Sequence, residues 1–310
     1  MSRVVLLGPW SEALPLGALV AELELEGHIA VITAGWQEWE SDLDGMRSQL
    51  GDRIVPLRLY ERAEAIWQED PELREAHRSM QSDLRRIREL YSRQLDRAAE
   101  AWMELLDMEG PERLIGPERT AALDAIHRLD AHHLERIREV QAEYGERMRP
   151  AERPAVHRRR EEVRSELAGC SAVVIEGGHA AVIHNRIGLF DLIDDLEGRT
   201  VIGRAAGAMV LCDRVVLYND SPAIGRGNAE IGLPGFGLVP GLVAISDPST
   251  RLRLNDVPRM RRLALRMAPA RCALLDPGDR LDWDGSTLTG HGSSRVVKID
   301  GKLEPWAEAA

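Results

Sequence analysis

The sequence predicts an α/β protein with a doubly wound, mostly parallel sheet, an inserted long α-helical hairpin and a β-rich C-terminal segment. Three observations lead to this prediction. Short apolar segments alternate with helical patterns near both ends of the chain, a charge-rich helical segment separates them, and closely spaced turns punctuate the final part. Alternating strands and helices indicate right-handed crossovers and a sheet covered on both faces.

The strand-like segments are short and apolar, and turn residues bound them. In the N-terminal part we predict strands at 4–7, 29–33 and 54–59, with helices at 14–25 and 42–50. In the C-terminal part we predict strands at 215–218, 242–245, 272–275, 280–283, 286–289 and 295–299, and a Gly-rich loop at 223–237. Asp-Pro-Gly-Asp and Asp-Gly turns between the last segments indicate hairpins.

A charge-rich segment with few strand-forming residues runs from residue 63 to residue 167. Its apolar residues recur at alternating steps of three and four, the spacing of a coiled-coil seam. We therefore expect an inserted helical, coiled-coil-like domain at 66–168, and an α/β peptidase-like domain at 1–65 and 169–310. A helix of about 35 residues is about 50 Å long, so this hairpin should project beyond the sheet.

Several apolar residues of the hairpin lie off its two seams and indicate a second apolar stripe. They are Leu90, Leu95, Leu106, Leu134 and Met148. Apolar surface left in water costs about 25 cal/mol per Å², so such a stripe is usually covered. We expect a protein contact, and a homodimer in particular, with cover by a third helix at about 154–167 as the alternative.

The composition is that of an acidic globular protein and argues against several functions. Of 310 residues 44% are hydrophobic, and the formal net charge is −11 with a pI near 5.4. This bulk charge repels phosphate, so we expect no nucleic-acid partner. The sequence has no apolar run long enough to span a bilayer and no basic leader with a cleavage signal, so we expect no membrane partner and no export.

Cysteines and histidines follow neither a disulfide framework nor a metal-site pattern. The cysteines are Cys170, Cys212 and Cys272, odd in number and widely spaced. We therefore expect a reducing, cytoplasmic setting. Three hairpin histidines lie near acidic residues, at 127, 132 and 133, without the convergent Glu-x-x-His spacing of a helical metal site. We expect two of them on the surface and one in the seam, and neither a metal nor a cofactor.

The segment 201–211 has the pattern of a buried strand, a sharp turn and a helix. Gly203 and Gly207 lie two residues before and two residues after Ala205. This spacing is typical of a nucleophile elbow, whose central residue has a strained backbone and whose neighbours leave no room for side chains. A working elbow has Ser or Cys at the centre, and the methyl group of Ala205 cannot attack a carbonyl.

Four runs together carry a family resemblance. Gly203 to Ala208 (GRAAGA) resembles the Gly-x-Ser-Ala-Gly-Ala elbow of the dipeptidase E and cyanophycinase serine peptidases, which have the class I glutamine amidotransferase-like fold. Residues 172–179 (AVVIEGGH) resemble the strand and Gly-Gly loop of that family's oxyanion hole. Residues 219–222 (NDSP) resemble the run with its triad acid, and 235–241 (GFGLVPG) the run before its triad His. The resemblance covers about 1–65 and 169–310.

The chain departs from the family at two of three catalytic positions. Besides Ala205 for the nucleophile, residues 244–248 (AISDP) stand where the family has its His, and no His occurs between 184 and 291. The resemblance therefore implies a degenerate site with vestigial positions at Ala205, Asp220 and Asp247, and a non-catalytic pseudo-hydrolase. The alternatives are an enzyme with rearranged chemistry around Asp220, His179 and Asp247, and a structural subunit.

A ligand site can survive the loss of the nucleophile, because oxyanion-hole donors are backbone amides. The resemblance points to the amides of Gly178 and Ala206, beside Gly177 and His179, and to a carboxylate or peptide-like ligand. Preservation of the turn alone would also explain the glycines. Three tryptophans follow the first two strands and either line a pocket or grip the hairpin, which we favour. They are Trp10, Trp36 and Trp39.

Overall fold

The computed structural model describes residues 3–218 and 228–306, with thirteen strands and ten α-helices in those ranges. The strands are β1 (Val4–Leu7), β2 (His28–Ile32), β3 (Ile54–Pro56), β4 (Cys170–Ile175), β5 (Thr200–Arg204), β6 (Arg214–Leu217), β7 (Glu230–Pro234), β8 (Leu242–Ser246), β9 (Arg271–Leu275), β10 (Arg280–Trp283), β11 (Leu288–His291), β12 (Arg295–Val297) and β13 (Leu303–Pro305). The α-helices are α1 (Leu16–Glu22), α2 (Asp44–Leu50), α3 (Leu59–Glu69), α4 (Pro71–Asp107), α5 (Glu112–Met148), α6 (Pro154–Ala168), α7 (Ala180–Phe190), α8 (Ala206–Leu211), α9 (Pro248–Arg251) and α10 (Val257–Met267).

A seven-stranded sheet in the order β11-β10-β1-β5-β4-β2-β3 forms the centre of the fold. The strands from β1 to β3 in this order are all parallel, and β10 and β11 extend the sheet with antiparallel pairing. Apolar side chains are buried on both faces, one packed against α1 and α2 and the other against α3, α6, α7 and α8. The predicted mixed α/β architecture with a mostly parallel sheet is confirmed.

The C-terminal part is rich in strands, as predicted. A second sheet has the order β13-β12-β9-β8, and β6 pairs with β7 in a two-stranded ribbon. One expectation was wrong here, because β7 occupies part of the segment that we expected to be a Gly-rich loop. The β6–β7 register brings Arg214 opposite Pro234 and Leu217 opposite Glu230.

The long helical hairpin consists of α4 and α5, each of 37 residues and therefore about 55 Å long. Helices α3 and α6 flank it in the chain. Trp67 of α3 and both Val163 and Leu167 of α6 are buried in the main core. Met80 of α4 and Met148 of α5 belong to the same core cluster, and α6 leads into β4.

The base of the hairpin is fixed by Asp70, directly before Pro71. Its Oδ1 accepts a hydrogen bond from the Leu73 amide at 2.9 Å, which caps α4. Both carboxylate oxygens also accept from Nη1 of Arg153, at 2.9 and 2.8 Å. The two ends of the insertion are thereby held together.

The hairpin contacts the sheet domain through α10 and β7. His127 Nε2 lies 3.0 Å from the Arg266 carbonyl oxygen, and His133 Nε2 donates to that of Ile231 at 3.0 Å. Both therefore contact the sheet domain, and of the three histidines only His132 is exposed.

A buried polar cluster, the Arg266 cluster, joins the hairpin to α10. Arg266 donates to Asp130 through Nε to Oδ2 at 3.0 Å and Nη2 to Oδ1 at 2.9 Å, and to the Tyr91 hydroxyl at 2.7 Å. Tyr91 donates to Asp130 Oδ1 at 2.7 Å and stacks on His133. The Arg266 cluster consists of Arg266, Asp130 and Tyr91, and all three side chains are buried.

The second apolar stripe of the hairpin is largely covered within the chain. Leu95 is fully buried, and Leu106 and Leu134 pack in the same cluster as Ile231 and Leu265. Met148 joins the main core, whereas Leu90 is 47% exposed. Residues of the same chain therefore cover part of the stripe, and Met148 shares its cluster with Val156 of α6. The homodimer stays a prediction.

Candidate functional site

The turn between β5 and α8 has the strained geometry that its glycines suggest. Ala205 has φ 49° and ψ −115° and lies at the N-terminal end of α8. A β carbon on Gly203 would lie 2.8 Å from the Gly207 carbonyl oxygen, and one on Gly207 would lie 2.0 Å from that of Ile175. Neither position accepts a side chain, because real β carbons essentially never come this close to backbone.

The loop after β4 lies beside this turn. Gly178 has φ 103°, and a β carbon there would lie 2.3 Å from the carbonyl oxygen of Gly35. Gly177 is buried, and a β carbon on it would lie 3.0 Å from that of Ala205. The two glycine-dependent segments therefore meet at the carboxyl edge of the sheet, where parallel α/β folds hold ligands.

A cavity of about 710 Å³, the Ala205 cavity, opens over this edge and is roofed by α4 and α5. Its lining includes Gly178, His179, Ala205 and Ala206 together with Ser246 at the end of β8. Within residues 3–218 and 228–306 the amides of Gly178 and Ala206 donate no hydrogen bond. Both residues line the Ala205 cavity.

The Ala205 cavity carries positive charge. Arg85 and Arg88 of α4 and Arg251 of α9 lie in its lining, and none of the described lining residues is acidic. Arg88 pairs with Glu230 at 2.9 Å, whereas Arg85 and Arg251 have no ion pair within the described ranges. The cavity therefore differs from the protein as a whole, whose net charge is −11.

Two histidines line the Ala205 cavity in different environments. His184 stacks on Phe236 with ring centroids 4.5 Å apart, and burial lowers the pKa of His184 to about 4. It is therefore neutral at pH 7. His179 is exposed, and its Nδ1 accepts a hydrogen bond from the Val182 amide at 3.4 Å.

The remaining predicted catalytic positions do not complete a triad in the described structure. Asp220 lies outside the described residues. Asp247 has φ 57° and ψ 47°, precedes α9, and donates its amide to the Leu275 carbonyl oxygen at 3.0 Å. Asp247 does not line the Ala205 cavity, but its neighbour Ser246 does.

Sequence reasoning missed Ser246 and the three arginines. Arg85 and Arg88 are three residues apart on one helix, and this spacing places two cations on one face. The sequence alone gives no sign that this face roofs the cavity.

The three tryptophans do not grip the hairpin, which corrects the interpretation we favoured. Trp10, Trp36 and Trp39 line a separate cavity of about 410 Å³, the tryptophan cavity, beside α1 and α2. None of its described lining residues belongs to α4 or α5. A different tryptophan, Trp67 of α3, stacks on His77 of α4 with ring centroids 4.8 Å apart.

The cysteines and other potential metal ligands form no recognisable centre. Cys170, Cys212 and Cys272 are free and buried, and burial raises the pKa of both Cys212 and Cys272 to about 12. In the described ranges, no group of three or more His, Cys, Asp or Glu side chains could hold a metal ion. Across the same ranges, none of the helices combines the length and apolar character needed to cross a membrane.

Comparisons with known proteins identify no family, but they do find structural likenesses. No protein-family model matches the chain, and no curated protein matches it. A crystal structure of a peptidase from an acI-B1 Actinobacterium is similar over 99% of this chain and 96% of that chain, with 13% sequence identity and a TM-score of 0.45. This likeness assigns no activity to the chain.

Proposed function

We propose that this protein is a non-catalytic pseudo-hydrolase that binds a small, carboxylate-bearing, peptide-like ligand in the Ala205 cavity. The observation that carries the proposal is the combination of a strained elbow turn with an alanine at its centre and a cavity over that turn. The amides of Gly178 and Ala206 supply donors for an oxygen of the ligand. An alanine at the centre of such a turn supports binding without turnover.

Charge favours a carboxylate over a neutral ligand. Arg85 and Arg251 contribute two cations without an ion-pair partner in the described ranges, and Arg88 adds a third that is shared with Glu230. A guanidinium donates two parallel hydrogen bonds to a carboxylate, which gives orientation as well as affinity. Each hydrogen bond between charged groups contributes about 1.5–3 kcal/mol.

The shape of the cleft favours an extended ligand. A neighbouring cavity of about 540 Å³ shares three lining residues with the Ala205 cavity and continues along α7. The shared residues are Gln141, His184 and Asn185. Arg149 and Arg160 line the farther part together with their ion-pair partners, Glu152 and Asp191. A peptide-like chain would occupy this length better than a single amino acid.

Ala205 and the histidines support the non-catalytic part of the proposal. Among the described residues of the cavity, Ser246 is the sole hydroxyl-bearing side chain, and no hydrogen bond joins it to a histidine in the described ranges. A serine without an adjacent base is a weak nucleophile at neutral pH. We therefore expect no turnover of Asp-X or β-aspartyl dipeptides, and none from Ala205→Ser. Robust hydrolysis would favour the alternative of a rearranged enzyme.

The binding test uses calorimetry on the full chain with an Asp-X dipeptide, a β-aspartyl dipeptide and their C-terminal amides. We expect each dipeptide with a free C-terminal carboxylate to bind at least tenfold more tightly than the same dipeptide with a C-terminal amide. Arg251→Gln and Arg85→Gln should each lower the affinity for the dipeptide with a free carboxylate by about tenfold or more.

Arg97→Gln is the matched control, because Arg97 lies on α4 with its side chain 84% exposed and pairs only with Glu100 among the described residues. It should leave the affinity unchanged. Absence of binding by all four compounds at millimolar concentration would contradict the proposal and favour a structural subunit.

A further inference from the structure

The tryptophan cavity lies on the α1 and α2 side of the sheet and is separate from the Ala205 cavity. Its volume of about 410 Å³ is within the range of about 300–1,000 Å³ that is usual for small-molecule sites. Two of its three indoles are unusually open to solvent, since Trp10 is 58% and Trp39 is 72% exposed. Singly exposed aromatic side chains are common, but a group of them around one cavity is typical of a binding site.

The backbone that presents two of these indoles is strained. Gln37 lies between Trp36 and Trp39 with φ 58° and ψ −120°, which a residue with a side chain rarely adopts. Such strain persists only where the surrounding structure fixes it, and it is concentrated at binding sites. The position of the indoles is therefore fixed by the fold.

The polar end of the tryptophan cavity is formed by Glu176 and Arg204. Both are buried, with exposed fractions of 6% and 5%. Arg204 Nε lies 3.5 Å from Glu176 Oε1, which is too long for a good hydrogen bond. Nε and Nη2 of Arg204 have no hydrogen-bond partner in the described ranges. The Glu176 carboxyl group accepts a hydrogen bond from the Gly177 amide, so the groups left without a hydrogen-bond partner in these ranges are the Arg204 N–H donors.

We propose that the tryptophan cavity binds a neutral heteroaromatic ring that carries a hydrogen-bond acceptor next to a donor on one edge, as purine and pterin bases do. Flat rings stack on indoles in a manner that tolerates different ring types. The guanidinium of Arg204 donates to the acceptor, and the carboxyl group of Glu176 accepts from the donor.

The charge of the site also favours a neutral ring. Arg204 and Glu176 carry opposite charges, so together they leave little net charge at the polar end. Asp42 adds a negative charge at the open side, where an anionic ligand would be repelled. The proposal is therefore independent of the carboxylate ligand assigned to the Ala205 cavity.

The test is calorimetric titration of the full chain with guanosine and with adenosine, beside benzoate and glucose. We expect at least one nucleoside to bind in the micromolar range, and neither benzoate nor glucose to saturate. Trp10→Ala and Trp39→Ala should each lower the affinity for the nucleoside by about 5- to 100-fold, the usual range for the loss of one stacking partner. Trp39→Phe keeps a ring and should retain most of the affinity.

Glu176→Gln changes the polar end without changing its shape and should weaken binding about tenfold. Glu176 is buried, so if this variant does not fold, the variants of the exposed Trp10 and Trp39 test whether the nucleoside binds in the tryptophan cavity. Arg251→Gln, from the Ala205 cavity, should leave nucleoside binding unchanged. Likewise, Trp39→Ala should leave the dipeptide affinity unchanged, so the two proposals fail separately.

Three results would overturn the assignment of a heterocycle. The first is the absence of heat with both nucleosides at millimolar concentration. The second is a nucleoside affinity that Trp10→Ala and Trp39→Ala leave unchanged, and the third is saturable binding of glucose or benzoate in place of the nucleosides.

Discussion

Ala205 holds a backbone conformation that costs roughly 1–3 kcal/mol in a residue with a side chain. The surrounding chain fixes it, because Gly203 and Gly207 bring neighbouring backbone too close for the turn to relax. In a working elbow this strain presents a nucleophile. Here the strained turn places a methyl group in the lining of the Ala205 cavity.

Replacing Ala205 with glycine should raise the free energy of unfolding by about 0.5–1 kcal/mol, because glycine adopts positive φ at little cost. Ala208→Gly is the matched control. Ala208 is buried inside α8, where glycine should lower the stability by about 1 kcal/mol. Urea denaturation measures both changes. A less stable Ala205→Gly variant would show that the turn carries no strain.

The sequence predicts the elbow residues well because their spacing is local. Gly203, Ala205 and Gly207 lie within one strand-turn-helix unit, and the geometry of that unit follows from steric rules over a few residues. Arg85 and Arg251 reach the same cavity from α4 and α9, which are far apart in the chain. Their meeting depends on how the hairpin packs, and no local pattern encodes it.

At the scale of secondary-structure elements, the Arg266 cluster is a buried polar contact between the hairpin and α10. Its charges are removed from water, and burial further raises the pKa of Tyr91 above its ordinary value. A buried ion pair adds little stability compared with an apolar substitute, but removal of one partner leaves an uncompensated charge. Asp130 and Arg266 therefore depend on each other.

Asp130→Ala should lower the free energy of unfolding by about 3–5 kcal/mol, because Arg266 would remain buried without its counter-charge. Hydrogen exchange should rise first in α4 and α5 near β7. Glu100→Ala removes an exposed ion pair on the same hairpin and should cost less than about 1 kcal/mol. Equal effects of the two changes in denaturant titrations would rule out a structural role for the cluster.

The helical hairpin itself could be predicted from its heptad pattern, but its limits could not. The apolar seam continues through Asp70 and Pro71, although an acidic cap before a proline is a helix-start signal. The helical pattern of α6 resembles that of the hairpin, yet Val163 and Leu167 pack on the sheet. Periodicity shows which face of a helix is apolar and leaves open which partner covers it.

At the scale of the whole molecule, two partly buried histidines make stability sensitive to acid. Burial lowers the pKa of His77 and of His184 to about 4, from an ordinary value near 6.5. The unfolded chain therefore takes up these protons at a higher pH than the folded chain. The stabilisation from the neutral rings is complete above about pH 6.5 and is lost as the pH falls towards 4.

Between pH 7 and pH 5, each histidine should lower the free energy of unfolding by about 1–2 kcal/mol. His77→Phe keeps the stack on Trp67 and should remove one such contribution, whereas His132→Phe changes an exposed ring and should not. Denaturant titrations of the three proteins at both pH values provide the measurement. The same loss of stability in His77→Phe as in the wild type would contradict the assignment.

The comparison between variants also separates the histidines from the buried acids. Burial raises the pKa of Glu40 and of Glu176, so these groups make the folded state more favourable as the pH falls. Their contribution has the opposite sign and is present in all three proteins. It therefore cancels in the difference between variant and wild type.

Arg204 and Ala205 are consecutive in the chain, but they line different cavities. Glu176 and Gly178, two residues apart, are divided between the cavities in the same way. The same two turns therefore contribute lining residues to both cavities, and a movement of either turn would change the lining of both. Any communication between the two cavities obeys reciprocity: the factor by which a ring in one cavity changes the dipeptide's affinity equals the factor by which the dipeptide changes the ring's.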